Sequence, residues 1–182
     1  MALAKDLLPV ELKLKNGAPA TLRPARPDDN EAIRQAFRHL DAETVYRRFL
    51  NYKTNVTEAE LEHITHVDFV RDVSLLVTTR VGDEEIVIGG ASYFALDDNN
   101  PPHRAEVAFT IEEEFQGQGL ARALMRKLVA LARANGVGVF EAEVLAGNLA
   151  MLSVFKGAGL PLTVRPEAGV THVTIDLRQP PG

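Results

Sequence analysis

Cysteine and tryptophan are both absent from the 182 residues, and aromatic residues make up only 6% of them. No apolar run approaches the ~18 residues that a membrane-spanning helix needs. Each absence removes a class of chemistry. Without cysteine there is no disulfide framework, no thiolate zinc site and no covalent thiol nucleophile. Lys5 and Asp6 interrupt the short apolar start of the chain, so neither a spanning helix nor a secretory signal is expected, and the sequence reads as a soluble, cytoplasmic protein with no membrane partner. An excess of basic charge is missing too: 20 Lys and Arg stand against 25 Asp and Glu, a net charge of -5. That balance argues against a broad nucleic-acid surface, whose affinity rests on neutralised phosphates, and no nucleic-acid partner is expected. A local anion site needs only a few aimed groups and stays open.

What is present suits one globular domain: 46% apolar residues, with no linker, repeat or low-complexity tract to divide them. Val10, Leu12 and Leu14 alternate with charged residues up to Asn16 and Gly17, then Ala20 and Leu22 follow, which predicts a hairpin with a tight turn. Asp28 with Glu31 has capping-box spacing before a helix carrying Ile33, Phe37 and Leu40, and Thr57 with Glu60 repeats that spacing before residues 57–65. Between them, residues 43–50 read as a further helical piece. Residues 73–81, 86–96 and 104–111 are rich in β-branched and aromatic side chains, with turn signals between them, and read as three successive antiparallel strands. Leu120, Leu124, Leu128 and Leu131 then recur at helical spacing until Asn135 and Gly136. A strand at 137–145, a helix at 148–156 and two pairing strands complete the chain. The strand, helix, strand passage implies a crossover and a parallel pair, so the fold class is α/β with a mixed, mostly antiparallel central sheet.

The loop at 116–121, Gln116, Gly117, Gln118, Gly119, Leu120 and Ala121, joins a strand to the leucine-striped helix. A helix N-terminus exposes backbone N–H groups and partial positive charge, and glycines let an anion approach them. This is a diphosphate-sized site to which Arg122 can add a charged donor, although a plain strand-to-helix turn also calls for glycine. A Rossmann fingerprint fails because Arg122 stands where a third Gly or Ala belongs, and no Gly-Lys-Ser/Thr of a P-loop is present.

Here the sequence resembles the GCN5-related N-acetyltransferase (GNAT) family, whose acetyl-CoA motif reads Gln/Arg-x-x-Gly-x-Gly/Ala: Gln116, Gly119 and Ala121 occupy its defined positions. A second block, Asn148 with Met151, Leu152, Phe155, Lys156, Gly159 and Leu160, is similar to the family's Asn-x-x-Ala-x-x-x-Tyr-x-Lys-x-Gly-Phe segment. The likeness runs from about Ala20 to Leu177, so a single N-acetyltransferase domain is expected over 1–182, with its core at about 10–178. Residues 17–27, 42–49 and 105–109 resemble in particular the acetyltransferase domain of bacterial protein-lysine acetyltransferases. The resemblance implies helices on both faces of the sheet, a splayed strand pair at the acetyl-CoA site, acetyl-CoA as cosubstrate, and an amine or protein-lysine acceptor. Related domains often dimerise, so a homodimer is a further expectation.

Transfer of an acetyl group to an amine needs a neutral nucleophile, and a free lysine with a pKa near 10.4 is almost wholly protonated at neutral pH. Glu106 is the candidate base, on the strand before the phosphate loop and on the face shared by Ala108 and Thr110; the alternative is a carboxylate in solvent or paired with Arg104. The resemblance implies that the thioester carbonyl is held by a backbone N–H of this strand, around Ala108 or Phe109, which makes Val107, Ala108 and Phe109 cofactor-contacting positions. It also implies that Asn148 contacts the CoA arm, though Asn148 equally suits a helix cap. Phe155 stands where many members carry a Tyr proposed as the acid for the departing thiolate, and phenylalanine has no proton to give. A non-catalytic acyl-CoA-binding or sensor module on the same fold is therefore the alternative to an enzyme. Tyr93 reads as core. Glu141 and Glu143 share one strand face and read as solvated. His63 and His66 lie at i, i+3 on a helix without companion ligands, so no metal is assigned.

Overall fold

A computed structural model describes residues 8–38 and 57–179; the helical piece expected at 43–50 lies outside these described residues. The hairpin forms as β1 (Val10–Lys13) and β2 (Pro19–Pro24). Its turn residue Gly17 has φ +89, a left-handed conformation that favours glycine. The helix α1 (Asn30–Arg38) follows a single 3-10 turn, Pro27–Asp29. The capping box here is closed by Asp29, whose carboxylate accepts from the Arg26 N–H at 2.7 Å, and not by Glu31, which is free to bond Arg34 and Gln35 instead. The proline at position 27 tightens the entry and moves the cap upstream by a few residues. At α2 (Glu58–Thr65) the expected box forms: Glu60 N–H donates to Thr57 Oγ1, and Thr57 N–H donates to the Glu60 carboxylate.

The strands β3 (Asp72–Val81), β4 (Glu84–Ala95) and β5 (Arg104–Ile111) form the predicted antiparallel meander. The helix α3 (Leu120–Ala134) crosses to β6 (Val139–Leu145), which lies parallel to β5. The remainder is α4 (Leu149–Gly157), β7 (Leu162–Glu167) and β8 (Val170–Asp176). Among the described residues, eight strands make one sheet in the order β1-β2-β3-β4-β5-β6-β8-β7, and β5 with β6 is its one parallel pair.

Helices cover both faces. On one, Leu120, Leu124, Leu128 and Leu131 of α3 are buried with Val73, Val107, Phe140, Phe155 and Val173. On the other, Ile33 and Phe37 of α1 and Leu61 of α2 bury against Leu76 and Val87. Each such fully buried side chain contributes roughly 1.5–3 kcal/mol of transfer free energy, so packing and not helix propensity fixes α1 and α2 on the sheet. The alternation of β5 therefore sorts its side chains between two separate cores: Val107 faces α3, whereas Ala108 and Thr110 face α1.

Candidate active site

The sheet opens at β5. Its pairing with β6 covers only Arg104↔Val139, Ala105↔Phe140 and Glu106↔Glu141, and then stops. On the outer sides the pairing continues: β4 follows β5 to Ile111, and β8 follows β6 to Leu145. The two parallel strands thus part beyond Glu106, the splay expected from the sequence.

Register decides which backbone groups face the gap. Leu96 N–H donates to the Arg104 carbonyl and Glu112 N–H to the Ile88 carbonyl, each at 2.9 Å. In an antiparallel ladder the bonded pairs recur every second residue, so the even-numbered positions of β5 point their N–H and C=O at β4. The odd-numbered positions point the other way, and His103 accordingly accepts from the Gly138 and Val139 N–H groups on the β6 side. The pairing of Glu106 with Glu141 uses the Val107 N–H, so beyond it the N–H of Phe109 is the one directed into the splay. That of Ala108 is spent on β4. Of the two positions expected to carry the donor, Phe109 has the correct orientation.

The glycine loop follows β5 after a 3-10 turn at Glu113–Phe115. Gln116 Nε2 donates to the Ile111 carbonyl at 3.2 Å, and Gln118 Oε1 accepts from the Asn16 N–H at 3.1 Å, which ties the loop to the β1–β2 turn. Gly117 and Gly119 have φ of +78 and +90, and no atom lies within 4 Å of where a Cβ on either would sit. Gly119 is the N-cap of α3 and, lacking a side chain, leaves that helix end without a side-chain cap. The residues fit a diphosphate: open space over two glycines, a free helix N-terminus, and exposed Arg122 in the first turn with no ion pair among the described residues. Leu120 points inward and is buried, Ala121 half so. Glu112 turns under α1 to line the opposite face.

The second block meets the first at the splay. Asn148 Oδ1 accepts from the Met151 N–H at 3.2 Å, so its oxygen caps α4. Phe155 is 1% exposed and meets Phe109 edge to face, ring centroids 5.9 Å apart. Tyr93 is fully buried; its hydroxyl accepts from Asn135 Nδ2 at 2.8 Å and donates to the Val70 carbonyl at 3.4 Å. Burial pushes that hydroxyl up to about 12, with the Asn135 bond partly offsetting the rise. It is a core group committed elsewhere.

Glu106 lies on the other face of the sheet from Phe155. It is exposed, and Arg104 does not engage it: Arg104 Nη1 donates to Glu141 at 2.8 Å instead. Next to Glu106 along β5, Ala108 and Thr110 line a cleft of about 60 Å³ with Ile33 and Phe37 of α1, Ile64 of α2 and Ser92 of β4. Sequence reasoning missed Phe94 and Asp72, which the register sets in one row with Glu106. His63 of α2 lies over the Phe94 ring, with centroids 4.1 Å apart, and its Nε2 is 3.5 Å from an Asp72 carboxylate oxygen. The sequence places His63 on an exposed helix face, and its side chain is 58% exposed; its contacts with Phe94 and Asp72 depend on the tertiary docking of α2. Among the described residues, no group of three or more His, Asp or Glu is arranged to hold a metal ion. Among them, too, no helix is long and apolar enough to cross a membrane.

The geometry matches known proteins. Residues 31–160 match the family model for the acetyltransferase (GNAT) family. The chain is 32% identical over 175 residues to acetyltransferase Pat of Mycolicibacterium smegmatis, covering 96% of this chain and 51% of that protein. It thus spans about half the length of that relative. It is also 30% identical over 138 residues to an acetyltransferase of Pseudomonas aeruginosa, covering 76% of this chain and 73% of that one. Among solved structures, the GNAT domain of S. lividans PAT superposes with a TM-score of 0.82 at 31% identity, covering 92% of this chain and 96% of that one. The Salmonella typhimurium protein yncA, solved with its cofactor acetyl-CoA, shares the fold at TM-score 0.70 and 22% identity, covering 90% and 98%. A strand pair that parts beside a glycine-led helix, and these likenesses across nearly the whole length, lead to one conclusion: the chain belongs to the GNAT acetyltransferase family.

Proposed function

We propose that this chain is a single acetyl-CoA-dependent N-acetyltransferase domain that passes the acetyl group directly to a primary amine, with protein lysine as the acceptor class. The observation that carries the reading is the splay. Pairing between β5 and β6 ends at Glu106↔Glu141, which frees the Phe109 N–H at the position where a thioester carbonyl needs a donor. Residues 116–122 take the diphosphate on the helix N-terminus, and the Asn148 amide nitrogen, left over from capping, faces the CoA arm. Phe109 and Phe155 form the apolar wall beside the sulfur. Glu106, reached from the opposite face through the α1 side, takes the proton from the incoming ammonium directly or through water. Such base catalysis contributes about 10²–10⁴-fold. No cysteine exists to form an acyl-enzyme, so the amine attacks the thioester itself. The lysine acceptor is supported by the segments 17–27, 42–49 and 105–109, which resemble bacterial protein-lysine acetyltransferases.

The experiment is in two steps. Acetyl-CoA at ~100 times its dissociation constant should stabilise the fold by about 2.7 kcal/mol, a rise of several degrees in Tm for a domain of this size. No rise removes the reading. Free-thiol release is then measured with a lysine peptide, against a background without protein cysteine. The second reading, a non-catalytic acyl-CoA sensor, is favoured by one observation: Phe155 supplies no hydroxyl at the sulfur. A Tm rise without thiol release on any of a panel of amines and lysine peptides selects it.

A further inference from the structure

The register of the sheet aligns a row of side chains that no single segment of sequence reveals. Asp72 pairs with Phe94, Phe94 with Glu106, and Glu106 with Glu141, so these four lie side by side on the α1/α2 face. His63 descends onto this row from α2. Its ring lies against Phe94 at 4.1 Å, and its Nε2 faces Asp72 Oδ2 at 3.5 Å. Asp72 is fixed in turn, because its other oxygen accepts from the Ala95 N–H at 2.9 Å. Neighbouring charges are occupied elsewhere. Glu62 pairs with His66 at 3.1 Å and Glu60 caps Thr57. Asp68 accepts from the Val70, Arg71 and Asp72 N–H groups. Arg71 donates to the Asn99 and Asp97 carbonyls, and Glu141 holds Arg104. Among the described residues, Glu106 and His63 both adjoin Phe94, the first across the β4–β5 pairing and the second through its ring.

We propose that His63 is a positioning residue for proton removal, acting through Glu106 and water and held in one orientation by Asp72 and Phe94. The inference rests on the acetyl-transfer reading above. With Nε2–H directed at Asp72, the neutral imidazole presents Nδ1 as an acceptor. The ammonium of the acceptor gives one proton to Glu106, and the electron pair left on nitrogen attacks the thioester carbon. As the C–S bond breaks, the second nitrogen proton goes to the departing sulfur. Each turnover therefore releases one net proton, which passes from Glu106 through water to Nδ1 of His63, and from the imidazolium to solvent. The chemistry favours such a pair. A free carboxylate is a weaker base than a free imidazole by about two pKa units, so a carboxylate alone meets the ammonium with a ~10²-fold poorer equilibrium.

Two measurements on the full chain test this. In the first, the His63 imidazole is titrated by NMR in the wild type and in Glu106→Gln, with acetyl-CoA bound. A midpoint that moves when the Glu106 charge is removed is the expected result; an unmoved midpoint overturns the proposal whether or not an acceptor has been found. The second compares His63→Phe, which keeps an aromatic ring on Phe94, with the wild type by the pH dependence of kcat/KM, using Nα-acetyl-lysine as acceptor. The expected loss is about tenfold near pH 7 and vanishes towards pH 10, where the amine is already neutral. A loss that is equal at every pH marks a structural role and overturns the proposal. The Tm rise with acetyl-CoA is read alongside: its absence in the wild type condemns the acetyl-transfer reading itself, whereas its retention in His63→Phe confines the defect to the proton.

Discussion

Arg104 reaches across the parallel junction to Glu141 at 2.8 Å and leaves Glu106, two residues further along its own strand, without an ion pair among the described residues. The proposed base is thereby kept apart from a guanidinium, whose positive charge would weaken a carboxylate as a proton acceptor. Removing Glu141 returns Arg104 to Glu106. Glu141→Gln is accordingly expected to lower kcat/KM a few-fold, and Arg104→Gln added to it should restore the rate. Stability changes little in either, since both side chains of the pair are substantially exposed. A double variant no better than Glu141→Gln alone would contradict the assignment.

Glu106→Gln itself is expected to cost about 10²–10⁴-fold in kcat near neutral pH. The deficit should narrow as pH rises and the amine deprotonates unaided. Acetyl-CoA should still raise its Tm, because the carboxylate lies on the opposite face from Phe155 and the glycine loop. Full activity across neutral pH removes Glu106 as the base.

Gly119→Ala tests the diphosphate site through backbone strain. The residue sits at φ +90 with open space where a Cβ would go, so the apo protein loses about 1–2 kcal/mol from conformation and nothing from a clash. That equals roughly 2–4 °C per kcal/mol in Tm. The methyl occupies the space over the loop, so affinity for CoA should fall by more than affinity for a pantetheine thioester lacking the diphosphate. Equal losses for both ligands would move the diphosphate away from this loop.

Much of this architecture was legible in the sequence because each signal was local: Gly17 for the hairpin, Thr57 with Glu60 for a cap, four leucines for α3. The glycine loop at 116–121 was legible for the same reason. The row through Glu106 was not. Counting back from the two-residue turn at Gly82 and Asp83 pairs Val81 with Glu84 and Thr78 with Val87, and the same count sets Asp72 opposite Tyr93. A bulge between Val77 and Thr78 shifts the register by one residue and brings Phe94 to Asp72 instead. In a strand, one residue exchanges the two faces. Tyr93 thus belongs to the α3 core, while Phe94 joins Glu106 and receives His63. The Gly89-Gly90 pair, where a Cβ at position 90 would come within 2.9 Å of the Leu75 carbonyl, is the trace of that bulge in the sequence. It signals an irregularity without giving its size.

Phe155→Tyr probes the missing hydroxyl. At 1% exposure against Phe109, a buried oxygen without a partner costs about 1–3 kcal/mol in the apo protein. If the oxygen lies beside the CoA sulfur, saturating CoA supplies a partner and the deficit shrinks. Thermal unfolding with and without CoA reads the difference, and an identical deficit in both places Phe155 away from the thiol.

The fold also carries an acid-sensitive fastening between β2 and the entry to α1. Arg23 Nη1 and Nη2 donate to both oxygens of Asp29, at 2.8 and 2.7 Å, and Nη2 also donates to Glu85 at 2.7 Å. Burial opposes ionisation of Asp29, but the guanidinium and the Arg26 N–H outweigh it and hold the carboxyl below its ordinary value of 3.8. A depressed folded-state value means that the unfolded chain binds the proton more readily. The stabilisation is therefore complete above the ordinary value and is lost as pH falls below it. Asp29→Asn leaves Arg23, itself 7% exposed, with Glu85 as its one carboxylate among the described residues, and such a broken buried pair costs about 3–5 kcal/mol at pH 7. Urea unfolding at pH 7 and at pH 3.5 should find that gap wide at the first and narrower at the second, because the wild type alone surrenders the Asp29 contribution. A gap that stays constant across the two would mean that Asp29 is not held below its ordinary value.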